Sequence, residues 1–396
     1  MFQTVRLKKN EEKRIKQGHL WIYSNEIDTA ITPLKAFTNG EPVVVEAHNG
    51  KALGIGYINP HSLIAVRLLT RNKDTQLGTR FFKKRLEQAQ ALRAMHFAQP
   101  FYRLAFGEGD LLPGLVVDRH GDVLVVQLTT AGMEQLKDKV IDALQALYAP
   151  QAIVLKNNLD VRKQEGLGLE DEVIGSLPDE VVIEENGTTF VLPVLDGQKT
   201  GWFYDHRISR AHLQQLARGK RVLDVFSYLG GWGLEAVQAG ASEAVCIDSS
   251  ERALDHLALS AQRNGLLERV TTYQGNVFEV LPHLIVQGER FDVVVVDPPA
   301  FVKRKKDFKS GSEGYRRVNE LAMRLLNPNG ILVSASCSHH MPRDALRRQI
   351  GLAGRHVDRQ VQIFAQGGQG PDHPIHPAIA ETEYLKTFFS RVWLER

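Results

Sequence analysis

Cysteine is scarce in this chain: two residues, Cys246 and Cys337, in 396. Two thiols exclude a disulfide framework and a structural zinc site, and they suit a reducing cytoplasm, where a lone thiol stays available. Long apolar runs are missing too. None approaches the roughly 20 residues of a membrane span, so no membrane is expected. The opening stretch MFQTVRLKKNEEKRIKQGH lacks the apolar centre of a secretory signal. A charge excess is also absent. With 49 Lys and Arg against 46 Asp and Glu, the net charge is +3, so affinity for a polyanion must come from local clusters. What remains is an ordinary globular composition, 43% hydrophobic and without low-complexity tracts. The length leaves room for two or three domains, since one core rarely grows past about 250 residues.

The pattern divides the chain into three segments. Residues 1–72 read as β-rich: short alternating runs, Pro42 to Glu46 and Leu63 to Leu69, are punctuated by Gly, Asn and Pro. Asn49-Gly50 is a hairpin signal. Residues 73–195 open with a connecting helix, Phe81 to Met95, whose apolar positions fall three and four apart. An α+β unit follows, with strands Leu115 to Asp118, Val123 to Leu128 and Ile153 to Leu155 around a helix from Met133 to Tyr148. A bridge, Pro193 to Arg207, carries Gln198, Lys199, Thr200, Trp202, Tyr204 and Arg207. Residues 196–396 then alternate. Strands Arg221 to Val225, Ala244 to Ile247, Val270 to Tyr273, Phe291 to Val296 and Ile331 to Ser334 are separated by helices such as Glu251 to Asn264 and Gly314 to Leu326. Such alternation predicts a doubly wound α/β sheet.

In open α/β sheets ligands bind beyond the carboxyl ends of the strands, so residues just after each apolar run are the candidates for function. After the first strand comes Asp224-Val-Phe-Ser-Tyr-Leu-Gly-Gly-Trp-Gly233. Its glycines allow close approach of the backbone, and Phe226, Ser227, Gly230 and Gly231 are placed to cradle a cofactor at a helix N-terminus. The spacing is not a dinucleotide fingerprint, which argues against a nicotinamide cofactor. Asp248 ends the second strand, where a carboxylate can accept both hydroxyls of a ribose, and Asn276-Val277 ends the third, placed to border an adenine. Singly, these acids read equally well as helix caps.

Two further strand ends carry Asp297-Pro298-Pro299-Ala300-Phe301 and Ser336-Cys337-Ser338. An acid and a thiol facing one pocket suit methylation of carbon 5 of a pyrimidine. That carbon is a poor nucleophile until a thiolate adds at carbon 6. Cys337 is therefore the expected nucleophile, whereas Cys246, between Val245 and Ile247 in mid-strand, reads as a small buried hydrophobe. His339 and His340 follow the candidate thiol and could favour its ionised form. Asp297 could pair with N3 of a cytosine, and Phe301 could stack on the base. A target inside an RNA stem would have to be extruded first. The run Lys303, Arg304, Lys305 and Lys306, continued by Lys309, Arg316 and Arg317, lies beside this loop and suits phosphate contacts. In the first segment Lys8, Lys9, Arg14 and Lys16 offer a second basic surface.

With these motifs together, the chain resembles the RlmI family of bacterial 23S rRNA 5-methylcytosine methyltransferases along its whole length. The stretch from Lys8 and Glu11 through Gln17-Gly18-His19 and Trp21-Ile22-Tyr23-Ser24 resembles a PUA RNA-binding domain, and Gly109 to Asp118 resembles a signature of the middle domain. The resemblance implies a PUA domain, a small α+β domain and a Rossmann-like domain using S-adenosyl-L-methionine. It implies Cys337 as nucleophile, with Asp224, Asp248, Asn276 and Asp297 around cofactor and base. It also implies 23S rRNA as partner, naked or within a large-subunit precursor, with a homodimer as one possible state. The chain departs from many Rossmann methyltransferases in carrying Asn276 at the third strand end, where Asp is usual.

Other readings stand beside this one. Exocyclic-amine methylation would use the Asp-Pro-Pro loop, but Ala300 intervenes before the aromatic residue and Cys337 would have no task. Uracil C5 methylation shares the cysteine logic. A non-catalytic rRNA-binding assembly factor would keep only the fold.

Overall fold

The computed structural model describes residues 2–394 and resolves into two compact units. The first comprises the chain up to Val181 together with Val194–Trp202 and Pro371–Thr382. It holds two five-stranded sheets. In one, Gln3–Arg6 pairs in parallel with Pro42–Glu46, and Ala52–Ile58, Ile64–Thr70 and Trp21–Tyr23 add antiparallel strands. Alternation puts Val5, Ile22, Val43, Val45, Val66 and Leu68 into a common core. The expected turn at Asn49-Gly50 is present: the Gly50 N–H donates to the Ala47 carbonyl, and Gly50 has φ of +84°.

The other sheet of this unit runs in the order Glu172–Gly175, Ala152–Leu155, Val123–Leu128, Leu115–His120, Phe101–Phe106. The connecting helix spans Thr79–Ala94, and the helical stretch expected from Met133 is divided at Leu136 into Ala131–Gln135 and Lys137–Tyr148. Arg93 is fully buried at the end of the connecting helix. Its guanidinium makes a two-pronged pair with Asp110, at 2.6 and 2.7 Å, and donates to the Asp372 carbonyl at 2.7 Å. That last bond ties the late segment Pro371–Thr382 to the first unit.

The second unit comprises Val182–Pro193, Phe203–Gly370 and the chain from Glu383 onward. Helix α1 (Arg207–Ala217) precedes a seven-stranded sheet. Its strands in chain order are β1 (Arg221–Val225), β2 (Glu243–Asp248), β3 (Val270–Gln274), β4 (Phe291–Val296), β5 (Leu326–Ser336), β6 (Arg359–Gly367) and β7 (Lys386–Leu394). The spatial order is β3-β2-β1-β4-β5-β7-β6. The strands β1 to β5 are parallel, and β7 runs antiparallel to both its neighbours. The crossovers are α2 (Gly231–Gln238), α3 (Glu251–Arg263), α4 (Val277–Val286) and α5 (Phe308–Arg324), with α6 (Arg343–His356) after β5. Val293 to Val296 are completely buried, which is why β4 reads as an unbroken apolar run. The predicted doubly wound sheet is therefore present, extended by two antiparallel strands that the alternation did not reveal.

The middle segment is expected to run to residue 195, but its stretch 182–193, a hairpin, packs within the second unit. The reason is its buried Glu185, which accepts from Arg207 Nε at 2.9 Å and Arg210 Nε at 2.8 Å. Ser260 Oγ also accepts the Val191 N–H, and the Asn264 side chain bonds both backbone polar groups of Thr189.

Replacing Arg93 by Ala would leave the Asp110 carboxylate buried without its cation. A loss of about 3–5 kcal/mol is expected, the range for breaking a buried pair on one side. Chemical denaturation checks this, and a change under 1 kcal/mol would contradict the account.

Candidate active site

Strand order reverses between β1 and β4: β1 leads outward to β2 and β3, β4 to β5. At such a reversal the loops at the carboxyl ends diverge and leave a crevice. Asp224, the next-to-last residue of β1, is completely buried. Its Oδ2 accepts the Gly233 N–H at 2.9 Å, and Oδ1 has no partner among the described residues. Burial pushes its carboxyl up to about 7, against the pull of the Gly233 bond and with a further push from Asp297 and Asp248. The loop that follows is strained. Phe226 and Tyr228 hold φ of +65° and +49°, and Gly230 at +77° starts α2. A side chain at Gly233 would meet Cys246 Sγ at 2.6 Å, so Cys246 fills the space behind this loop as the expected core residue.

Asp248 closes β2 and accepts the Tyr228 and Ser250 N–H groups, both at 2.9 Å. It thereby braces the glycine loop from the neighbouring strand. Ser227 is buried in the same loop, its N–H donated to the Ile247 carbonyl. Gly231 opens α2, and Asn276 caps α4 by accepting the Phe278 N–H at 2.9 Å, with Val277 buried beneath. These cofactor candidates all lie along one edge of the sheet.

Asp297 follows β4 and receives two groups on the same oxygen. Trp232 Nε1 donates to Oδ2 at 3.1 Å, and His206 Nε2 lies 3.2 Å from it. His206 is buried, and its Nδ1 has no partner among the described residues. Burial alone would depress the imidazole pKa, but the Asp297 carboxylate outweighs it and the net direction is upward. His206 carries no signal of its own in the sequence. It lies in the bridge before β1, and nothing in that stretch marks it except its closeness to the singled-out Tyr204 and Arg207.

Cys337 follows β5 directly and is half-buried. In the parallel register Val296 of β4 pairs with Ser334 of β5, so Asp297 and Cys337 leave the sheet at the same edge. A buried hydroxyl network holds the thiol's neighbours. Ser336 Oγ donates to Tyr315 Oη at 2.8 Å, Tyr315 Oη and Ser338 Oγ are 2.9 Å apart, and the Ser338 N–H returns to Ser336 Oγ at 3.2 Å. The Val302 N–H donates to Ser338 Oγ at 3.4 Å, which joins the Asp-Pro-Pro loop to the cysteine segment. Phe301 sits among Tyr315, Phe226 and Phe278, with ring centroids 4.9, 6.2 and 6.3 Å away.

The basic candidates divide. Lys303, Lys305 and Lys306 are exposed beside the loop, as is Arg304, which pairs with Asp307 at 3.0 Å. Arg316 is drawn into pairs with Glu313 and Glu320, and Arg317 lies over the Phe278 ring. In the first unit Lys8 donates to the Asn25 carbonyl, while Arg14 binds both oxygens of Glu26 and covers the Tyr23 ring. Among the described residues no cluster of side chains suits a metal ion.

The edge fits S-adenosyl-L-methionine. A buried carboxylate oxygen without a partner among the described residues and two neighbouring acids suit a ligand carrying a sulfonium and an ammonium.

Comparison with known proteins agrees. Residues 5–71 match the model of a PUA-like domain, and residues 165–351 match that of an S-adenosylmethionine-dependent methyltransferase. A ribosomal RNA large subunit methyltransferase I from Tolumonas auensis is 39% identical over 393 residues, covering 98% of each chain. Its counterpart from Photobacterium profundum is 38% identical over 98% of this chain and 99% of its own. A methyltransferase solved in complex with SAH shares the fold, with a TM-score of 0.83 over 98% of this chain and 100% of that one, at 21% identity. The chain thus belongs to the ribosomal RNA large subunit methyltransferase I family, whose cofactor is S-adenosyl-L-methionine.

Proposed function

We propose that this protein methylates carbon 5 of a cytosine in 23S rRNA through a covalent adduct at Cys337. The observation that carries the reading is the placement of Cys337 and Asp297 at one edge of adjacent parallel strands, joined through Val302 and Ser338. The large-subunit RNA is supported by what the relatives' names state.

S-adenosyl-L-methionine supplies an electrophilic methyl group. The residues of the chain prepare its acceptor. Cys337 Sγ, as thiolate, bonds to carbon 6 of the cytosine, and the electrons of the 5,6 double bond move toward N3. N3 takes up a proton there through the His206–Asp297 pair, with Asp297 meeting N3, and gives it back when the adduct breaks down. Because Trp232 and His206 both engage Oδ2, Oδ1 is the oxygen that faces this task. Carbon 5 is now nucleophilic toward the methyl that the cofactor would supply, the sulfur–methyl bond breaking to leave a neutral thioether. A base then removes its proton, the electrons re-form the double bond, and Cys337 leaves as thiolate. Asp248 would hold the cofactor ribose, Asp224 would offer the oxygen that has no partner among the described residues to the cofactor's cationic portion, and Asn276 and Val277 would border the adenine. Phe301 stacks near the base, and Lys303 to Lys306 and, in the first unit, Lys8 and Arg14 receive phosphates.

Cys337→Ala is expected to abolish methyl transfer while cofactor affinity, read by calorimetry, stays within twofold of wild type. Near-normal turnover would overturn the covalent route and favour exocyclic-amine chemistry. Asp248→Ala removes a charge-assisted acceptor and should weaken cofactor binding by about 1.5–3 kcal/mol. Unchanged affinity would remove Asp248 from the ribose site. Neutralising Lys305 and Lys306 together should lower the salt slope of RNA binding by about one to two units, since each phosphate contact on single-stranded RNA contributes roughly 0.7. An unaltered slope would mark the run as a solvated face.

A further inference from the structure

The late strand β7 brings Lys386 to the edge where Cys337 stands. Lys386 pairs with Ser336 in the antiparallel register, and its Nζ donates to the Ser338 carbonyl at 2.6 Å. The side chain thus starts beside one neighbour of Cys337 and ends on the other. It is a buried lysine, 6% exposed, which is uncommon without a negative partner. The Ser338 carbonyl satisfies one of its three N–H donors. No carboxylate forms an ion pair with Lys386 among the described residues; Glu383 acts on it only through its charge.

We infer that Lys386 is a positioning residue for the reaction, holding its ammonium across Cys337 so that the thiol loses its proton to solvent and rests as the thiolate. The inference rests on the reading of Cys337 as nucleophile. It adds what that reading lacks, a cation in the fold that makes the sulfur reactive. His339 and His340 follow the thiol in the chain, and further groups act on the pair. Arg343 from α6 and Glu383 ahead of β7 act on Lys386 with opposite sign, and Tyr315 from α5 faces the thiol as a neutral hydroxyl. Burial lowers the Lys386 pKa to about 8, and the negative charge of Cys337 pulls against that fall. Attraction between the two is mutual, so the same interaction that favours the ammonium favours the thiolate. The ammonium is present below about pH 8 and is lost above it, so the help falls in the range where an ordinary thiol stays protonated.

Alkylation by iodoacetamide tests this without RNA or cofactor. The full chain is treated between pH 6 and 10, and modification of the peptide holding Cys337 is followed by mass spectrometry. Wild type should reach half-maximal rate clearly below the value of about 8.5 for an unperturbed thiol. Lys386→Met, of similar length without charge, should move that midpoint up by a unit or more and slow alkylation at pH 7 about tenfold. Lys386→Arg should restore much of it. A wild-type midpoint at or above that of an ordinary thiol overturns the inference whether or not the variants fold. So does a Met variant that binds cofactor normally with an unshifted midpoint, or equal shifts in the Met and Arg variants, which would show a packing role alone. Failure of the functional reading shows elsewhere, as methyl transfer surviving in Cys337→Ala.

Discussion

The parallel pairing of β1 with β2 and β4, and of β4 with β5, is the constraint on which the site depends. Parallel strands end together at one edge, so each carboxyl end delivers a side chain to the same side of the sheet. Asp224, Asp248, Asp297 and Cys337 arrive there by four independent connections. The register is fixed on both sides of β4, where Val296 pairs with Val225 of β1 and with Ser334 of β5.

Gathering acids at a buried edge has an electrostatic cost that the protein offsets unevenly. Asp297 receives Trp232 and His206, and Asp248 receives two backbone N–H groups. Among the described residues Asp224 receives one N–H and keeps an oxygen without a partner, and its carboxyl is correspondingly the one pushed up toward neutrality. A cationic cofactor supplies what is missing, since its charge favours the ionised form of that group. The site is therefore most stable as a set of charges when loaded. The basic residues of the loop divide: Lys303, Lys305 and Lys306 remain exposed, as does Arg304 in its pair with Asp307, whereas Arg316 is consumed by Glu313 and Glu320.

The hydroxyl network around Tyr315 links this electrostatic site to the reacting thiol. Ser336, Ser338 and Tyr315 are buried, and their short bonds fix the backbone on both sides of Cys337. Through Val302 the same network reaches the loop that begins at Asp297. Through Phe301 it touches the ring of Phe226 in the strained cofactor loop. Cofactor loop, acid and thiol thus share one packed scaffold within the second unit.

Much of this was legible in the chain alone. Apolar runs such as Val293 to Val296 mark buried parallel strands whatever surrounds them, and the residue after each run must lie at a strand end. That logic suffices for Asp224, Asp248, Asn276, Asp297 and Cys337, and it separates Cys337 from the mid-strand Cys246. It could not reach His206, Tyr315 or Lys386. Each belongs to an element whose own pattern is unremarkable, a bridge, a helix and an antiparallel strand, and each acquires its role from a partner distant in sequence. Lys386 and Ser338 are 48 residues apart, and a buried lysine looks like any surface lysine until the sheet order is known. The hairpin 182–193 belongs with the second unit for the same reason, because Glu185 finds its arginines only after folding. Local hydrophobic periodicity determined the strands and their ends; long-range pairing alone decided which polar groups were buried together, since desolvation and hydrogen bonding act between neighbours in space.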